Sequence, residues 1–207
     1  MTPQEKWNTD RGNDTLIIDY PLDENSQVIE LGGYHGLWTK KISQKYNCNI
    51  LSIEPIPEFY DKMINEFDYY LTNNREKIKT ENFGISTEEK ELTFSVDGDA
   101  TSSHLQSSNQ ITITCHTLEH YLKKHSIEKV DLLQVNVECE EYPLLLNWIN
   151  GDTLKNIKFI QIQFHTFCDD YEKKYSIISE GLKNLGFEIR YKYDFVWESW
   201  ENKNFTK

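Results

Sequence analysis

The 207-residue chain carries 34 acidic against 22 basic residues, a formal net charge of −12, and is 38% hydrophobic and 13% aromatic. That composition is globular rather than disordered. The acidic excess excludes nonspecific attachment to nucleic acid or anionic membranes, because phosphate binding wants a basic face. The length suits one domain, residues 1–207, with a full-sized core.

The first 15 residues are polar and read as an N-terminal arm, a frayed tail with Lys6, Trp7, Asp10 and Arg11 as candidate lid residues. Residues 27–31 form a short apolar run, the first strand, and residues 37–46 follow with helical spacing of Leu37, Ile42 and Tyr46. Residues 49–53 are the second strand. Glu54-Pro55 ends it, and Pro57 suits the first turn of a helix reaching Phe67. Residues 78–85 read as a third strand, and 91–96 and 111–115 alternate with period two as extra strands. Between them, residues 97–108 are rich in Asp, Gly, Ser and Thr and read as a loop. Thr117 caps a short helix ending near His125. Residues 130–137 are a near-continuous apolar run, the central fourth strand, followed by a helix over 140–149. Residues 157–164 are a fifth strand, 171–185 a helix ended by Gly186, and 187–193 with 195–200 two closing strands paired together. Strands alternating with helices call for a mostly parallel sheet covered on both faces.

The four cysteines, Cys48, Cys115, Cys139 and Cys168, contain no CxxC pair. With no apolar leader ahead of them, they read as reduced thiols of a cytoplasmic protein. The longest apolar patch, residues 142–149, is too short to span a bilayer.

The chemistry concentrates on Val28-Ile29-Glu30-Leu31-Gly32-Gly33-Tyr34-His35-Gly36-Leu37-Trp38. Glycines where a strand turns into a helix let a backbone approach a ligand closely. Leu31 occupies the first glycine position of GxGxxG, so the dinucleotide fingerprint fails. Glu54, 22 residues beyond Gly32 and at the tip of the second strand, can accept both hydroxyls of a ribose. Four polar clusters reach the same carboxyl edge of the sheet. They are Asn82 with Ser86, the segment from Asp99 to His104, Asn136 with Glu138, and Gln163 with His165. No metal-ligand spacing is evident, so no metal is expected, and Glu140 and Glu141 read as first-turn acids that suit a helix dipole.

In order and spacing these motifs resemble the FkbM family of S-adenosylmethionine-dependent methyltransferases. The resemblance covers about residues 27–165 and rests on the glycine stretch, then Ser52-Ile53-Glu54-Pro55-Ile56-Pro57 and Asn82-Phe83-Gly84-Ile85-Ser86. It continues through Thr101-Ser102-Ser103, Thr117-Leu118-Glu119, the stretch from Val130 to Glu141, and Ile160-Gln161-Ile162-Gln163-Phe164-His165. It implies an α/β, Rossmann-like class I methyltransferase fold: a mostly parallel seven-stranded sheet, helices on both faces, and an antiparallel C-terminal hairpin. The implied cofactor is S-adenosyl-L-methionine. Glu30, Gly32, Gly33 and Gly36 would hold its methionine part and Glu54 its ribose, with Tyr34 walling the cofactor pocket. Pro55 with Ile53 would flank the nucleoside, Asn82, Phe83 and Gly84 would lie near adenine, and Asn136 would face the reacting centre.

Several positions depart from the family pattern. Glu30 stands where Asp is usual and Tyr34 where Asn is usual. Gln134, Asn136, Glu138 and Cys139 stand in the Lys-x-Asp-x-Glu-Gly motif of the fourth strand, and Gln163 replaces a Glu. The expected reaction is methyl transfer to a hydroxyl of a sugar, glycan or other small polar acceptor. His165 is the first candidate base, Glu138 the second and His104 the third, with Asn136 and Gln163 orienting the acceptor. Transfer to an amine, and cofactor binding without catalysis, are the alternatives. The expected partner is a small molecule or glycan, with no nucleic acid and no membrane. Oligomeric state is not readable, a homodimer being one way to complete an open acceptor site.

Overall fold

The computed structural model describes residues 1–71, 74–97, 100–102 and 110–206. An N-terminal helix α1 (Pro3–Thr9) precedes β1 (Gln27–Leu31), α2 (Leu37–Tyr46), β2 (Asn49–Ile53), α3 (Pro57–Tyr70), β3 (Ile78–Glu81) and β4 (Gly84–Ile85). Then come β5 (Lys90–Asp97), β6 (Ala100–Ser102), β7 (Gln110–His116), α4 (Leu118–Lys124), β8 (Val130–Val135) and α5 (Glu141–Trp148). The chain closes with β9 (Ile157–Ile162), α6 (Tyr171–Asn184), β10 (Phe187–Tyr193) and β11 (Trp197–Asn202).

Seven strands form one sheet in the order β10-β11-β9-β8-β1-β2-β3. The five from β3 to β9 run parallel, and β11 is antiparallel to both β9 and β10. The apolar runs explain this. A parallel strand is buried on both faces, so it reads as nearly all apolar. Val28 and Leu132 pack on one face with Trp38, Ile42, Met63 and Phe67 of α2 and α3. Their neighbours Ile29 and Leu133 pack on the other with Tyr142, Trp148, Ile178 and Leu182 of α5 and α6.

A second sheet, in the order β4-β7-β5-β6, sits after β3. The single strand expected over 78–85 is therefore two strands in two sheets. Asn82 separates them: its amide donates to the carbonyls of Glu54 and Pro55 at 2.9 and 3.2 Å, turning the chain across the end of β2. Part of the polar loop expected over 97–108 pairs as β6 with β5, while His104 lies outside the described residues. The last strand lies two residues later than expected, over Trp197–Asn202.

The N-terminal arm is not a frayed tail. Thr2 and Glu5 close a reciprocal capping box, the Thr2 hydroxyl accepting from Glu5 N at 3.2 Å and the Glu5 carboxylate from Thr2 N at 2.7 Å. Trp7 is 1% exposed, against Tyr191 and Tyr193 of β10. One buried indole in a polar stretch carries no periodicity, which is why local reading misses the docking.

The reading of four reduced thiols is corrected for one pair. Cys139, in the β8–α5 turn, and Cys168, after β9, form a disulfide with Cα atoms 5.8 Å apart, while Cys48 and Cys115 are free and buried. The bridge links segments 29 residues apart. Closing a loop of that size stabilises a fold by about 3–4 kcal/mol through the unfolded chain. Cys139→Ser with Cys168→Ser should therefore lower Tm by several degrees in a calorimetric scan. Unchanged melting would show that the bridge contributes nothing to stability. No described helix is long and apolar enough to cross a membrane.

Candidate active site

The carboxyl ends of β1, β2 and β8 surround a cavity of about 290 Å³. It is lined by Gly32, Tyr34, Ile53, Glu54, Pro55, Ile56, Phe59, Gly84, Ile85, Asn136, Val137, Glu138 and Glu140. This is where ligands bind in open parallel sheets, and its size approaches the lower end of small-molecule sites. Two residues that line it hold backbone conformations that L side chains rarely adopt, Tyr34 at φ 47° and Glu138 at φ 50°.

Gly32 packs against the tip of β8. A Cβ there would stand 1.9 Å from the Asn136 carbonyl oxygen, and its φ is +88°. The Asn136 amide donates to the Leu31 carbonyl at 3.0 Å, so the two strand tips are held together where the chain enters the turn. Glu54 faces the cavity from β2. One carboxylate oxygen accepts Tyr34 N–H at 2.7 Å and the other Ile56 N–H at 2.9 Å. Each oxygen keeps a further acceptor position for a ligand hydroxyl. Burial pushes its pKa up to about 7 against those two hydrogen bonds. Tyr34 stacks on His35 with ring centroids 3.7 Å apart, and Phe59 meets Tyr34 edge-on at 4.8 Å, giving the cavity an aromatic wall.

Asn136 brings an unsatisfied acceptor. Its Oδ1 is buried and has no hydrogen-bond partner among the described residues. A buried acceptor without a partner is costly, and a ligand N–H or O–H would satisfy it.

Behind Glu138 lies a buried charged chain. Glu141, fully buried, accepts the backbone N–H of Cys139 at 2.8 Å and of His165 at 2.7 Å. It also faces His165 Nδ1 at 3.0 Å, while His165 Nε2 faces a Glu138 carboxylate oxygen at 3.3 Å. Burial drives the imidazole pKa down, but hydrogen bonds and charge from Glu138 and Glu141 outweigh it, and the pKa rises to about 9. His165 is thus an imidazolium at neutral pH with a carboxylate on each nitrogen. His165 does not line the cavity, and each of its ring nitrogens faces a carboxylate.

Other expected site residues stand back from the cavity. Glu30 is buried beneath the turn, its carboxylate accepting from the hydroxyls of Ser52 at 2.5 Å and Thr39 at 2.7 Å. Gly33 packs over Ser52 and Met63, and Gly36 against Phe67. Asn82 holds the Glu54-Pro55 backbone from outside, and the Phe83 ring turns to His116. Ile56, Phe59, Val137 and Glu140 also join the lining, none of them expected from the sequence as a site residue. Phe59 shows only core-like helical spacing, and Glu141 reads as an ordinary first-turn acid.

The buried carboxyls set a pH dependence. Burial raises Glu30 to about 7, with the Ser52 and Thr39 hydroxyls opposing. A carboxyl whose folded pKa exceeds its unfolded 4.5 binds more protons folded, so it favours folding at low pH. Its contribution is lost as pH rises from about 4.5 through about 7. Glu30→Gln should flatten that part of the stability profile in chemical denaturation at a series of pH values. An unchanged slope would mean that Glu30 titrates normally.

A parallel sheet with a reversed last pair, a close-approach glycine turn at the tip of β1 and an acid at the tip of β2 define a class I S-adenosylmethionine-dependent methyltransferase. Solved structures agree on the fold. Fibrillarin of Aeropyrum pernix with natively bound S-adenosyl-L-methionine superposes with a TM-score of 0.52 at 12% identity, covering 92% of this chain and 74% of that one. An rRNA methylase of Streptococcus thermophilus gives 0.55 at 12%, covering 92% and 94%. The precorrin-6y C5,15-methyltransferase of Geobacter metallireducens gives 0.53 at 8%, covering 92% and 86%. No curated protein matches the sequence. The methyltransferase FkbM domain matches residues 30–189, and the chain belongs to that family. It is a methyltransferase that uses S-adenosylmethionine. The cavity suits that cofactor: each Glu54 carboxylate oxygen keeps a further acceptor position for a diol such as a ribose, and the buried Asn136 Oδ1 can accept from another ligand donor.

Proposed function

We propose that the protein methylates a hydroxyl on a sugar, glycan or other small polar acceptor. The observation that carries this reading is the Glu138 carboxylate, which lines the cavity and is held from behind by His165. Hydroxyl transfer needs a group to receive the acceptor's proton, and a fixed carboxylate at the cavity wall can do so.

Bound S-adenosylmethionine supplies an electrophilic methyl group on a sulfonium. Glu54 would accept from the ribose hydroxyls, Tyr34 and Phe59 would wall the nucleoside side, and Asn136 Oδ1 would accept from the cofactor or from the acceptor. Glu138 would take the hydroxyl proton as the acceptor oxygen bonds the methyl carbon and the carbon–sulfur bond breaks, its electron pair staying on the thioether sulfur of departing S-adenosylhomocysteine. His165, fixed by Glu141, holds Glu138 in place as a positioning residue, and that geometry supplies part of the rate. Glu54, Glu138 and Glu140 line the cavity with no Lys or Arg among the described lining residues, which favours a neutral acceptor over a phosphate or carboxylate.

A nitrogen acceptor is the second reading. It is favoured by Asn136 Oδ1, which can accept from an amine N–H. Supplying sugars and amines side by side and measuring S-adenosylhomocysteine release separates the two. Turnover on glycosides supports the proposal, and turnover on amines alone overturns it.

A further inference from the structure

The fold assembles three metal-ligating side chains that the sequence scatters. Glu89 lies just before β5, His116 is the last residue of β7, and His120 is in the first turn of α4. The antiparallel register pairs Lys90 with Cys115, which brings Glu89 beside His116. Thr117 caps α4 by accepting from His120 N at 3.1 Å, which turns His120 back over His116. The two imidazoles stack at 4.1 Å with 11° between planes. Both face the Glu89 carboxylate: His116 Nδ1 bonds one oxygen, and His120 Nδ1 lies 3.3 Å from the other. All three ligand atoms lie within 4.8 Å of one another.

We propose that Glu89, His116 and His120 form a site for a zinc-like divalent transition metal ion. Two imidazole nitrogens and one carboxylate oxygen match such ions, whereas calcium and magnesium want an all-oxygen shell. Bonds of about 2.0–2.1 Å in tetrahedral geometry put two ligand atoms about 3.4 Å apart. The Glu89–His120 spacing of 3.3 Å already has that value. Parallel rings do not aim both lone pairs at one point, so the His120 side chain, 38% exposed, swings out of the stack on binding as the exposed Glu89 side chain rotates. His116 is held in advance by the edges of Phe83 and Tyr121 at 5.1 and 5.7 Å. Three protein ligands leave a fourth position for water.

The position suggests what the ion does. Gly84 and Ile85, which line the cavity, pair with Cys115 and His116. A metal at His116 would clamp the small sheet where it forms the wall of the cofactor cavity, bracing the site without entering the chemistry. This inference goes beyond the methyl-transfer reading and does not depend on it.

Metal-stripped protein titrated with Zn2+ by calorimetry, and with Co2+ by visible absorption, tests the site. One equivalent should bind, with visible cobalt ligand-field bands and no near-ultraviolet thiolate band. Glu89→Gln and His120→Ala should each weaken zinc binding by about tenfold or more. His125→Ala should leave it unchanged, since that imidazole goes to Glu81. Glu89 is exposed, so its variant keeps the test valid if His120→Ala fails to fold. Three results would overturn the site. They are absence of cobalt bands, a thiolate band from Cys48 or Cys115, or wild-type zinc affinity in Glu89→Gln.

Discussion

Gly32→Ala is expected to abolish binding of S-adenosylmethionine and to lower stability. The residue has φ +88°, and a methyl group there would stand 1.9 Å from the Asn136 carbonyl oxygen. That oxygen belongs to backbone held at the end of β8 by the Asn136-to-Leu31 hydrogen bond, so it cannot swing aside like a side-chain end. The left-handed conformation alone costs about 1–3 kcal/mol for a residue with a Cβ. Relieving the clash parts the tips of β1 and β8, which form the floor of the cavity. Calorimetry should show cofactor affinity reduced by roughly a hundredfold or more. Gly33→Ala supplies the comparison. Its added methyl would meet the Ser52 hydroxyl at 2.5 Å and the Met63 sulfur at 2.6 Å, both side-chain atoms. That variant should fold and bind, less tightly than wild type but better than Gly32→Ala. Equal affinities in the two would refute the assignment of the β1–β8 junction as the cofactor floor.

Glu138→Gln should lower kcat by roughly 10²- to 10⁴-fold while leaving cofactor affinity within a few-fold, as loss of a general base does. The amide keeps the shape of the side chain but cannot take the acceptor's proton. It also removes one of the two carboxylates that hold His165 charged, so the His165 pKa should fall from about 9, which NMR titration of the imidazole would detect. The sign of the linked stability follows from the direction of that shift. His165 has a folded pKa above its unfolded 6.5, so its contribution is complete below about pH 6.5. It is lost as pH rises through about 9. Turnover should fall over the same upper range as the imidazolium that positions Glu138 discharges. His165→Asn should remove that alkaline limb and reduce turnover less than Glu138→Gln does. If instead His165→Asn is the more damaging and the Glu138 variant retains full turnover, the proton is taken by another group.

The two variants bear on different parts of the sequence reading. Gly32 and Glu54 are legible because their signals are local. A glycine directly after an apolar run, and an acid at the end of the next one, occupy the ends of strands whatever lies around them. The FkbM motifs extended that reading to Asn136 and Glu138. The enclosure of His165 between two carboxylates was not legible, because one of them is Glu141. An acid in a helix's first turn suits the dipole and looks ordinary. Its complete burial and its contact with His165, a residue 24 positions further along the chain, arise only in the tertiary structure.

The sequence by itself determined the parallel sheet. Runs such as Val28 to Leu31 and Leu132 to Val135 are apolar at every face-alternating position but Glu30 and Gln134, and only strands covered on both sides accommodate that pattern. It also determined the glycine turn, the acid opposite it and the family. The tertiary structure decided what depends on distance between segments far apart in the chain. It docked Trp7 on β10, split the third strand at Asn82, joined Cys139 to Cys168, and drew Glu89, His116 and His120 together. Periodicity records which face of an element is buried. It holds no record of which distant element covers that face, and each of these contacts is made by that covering.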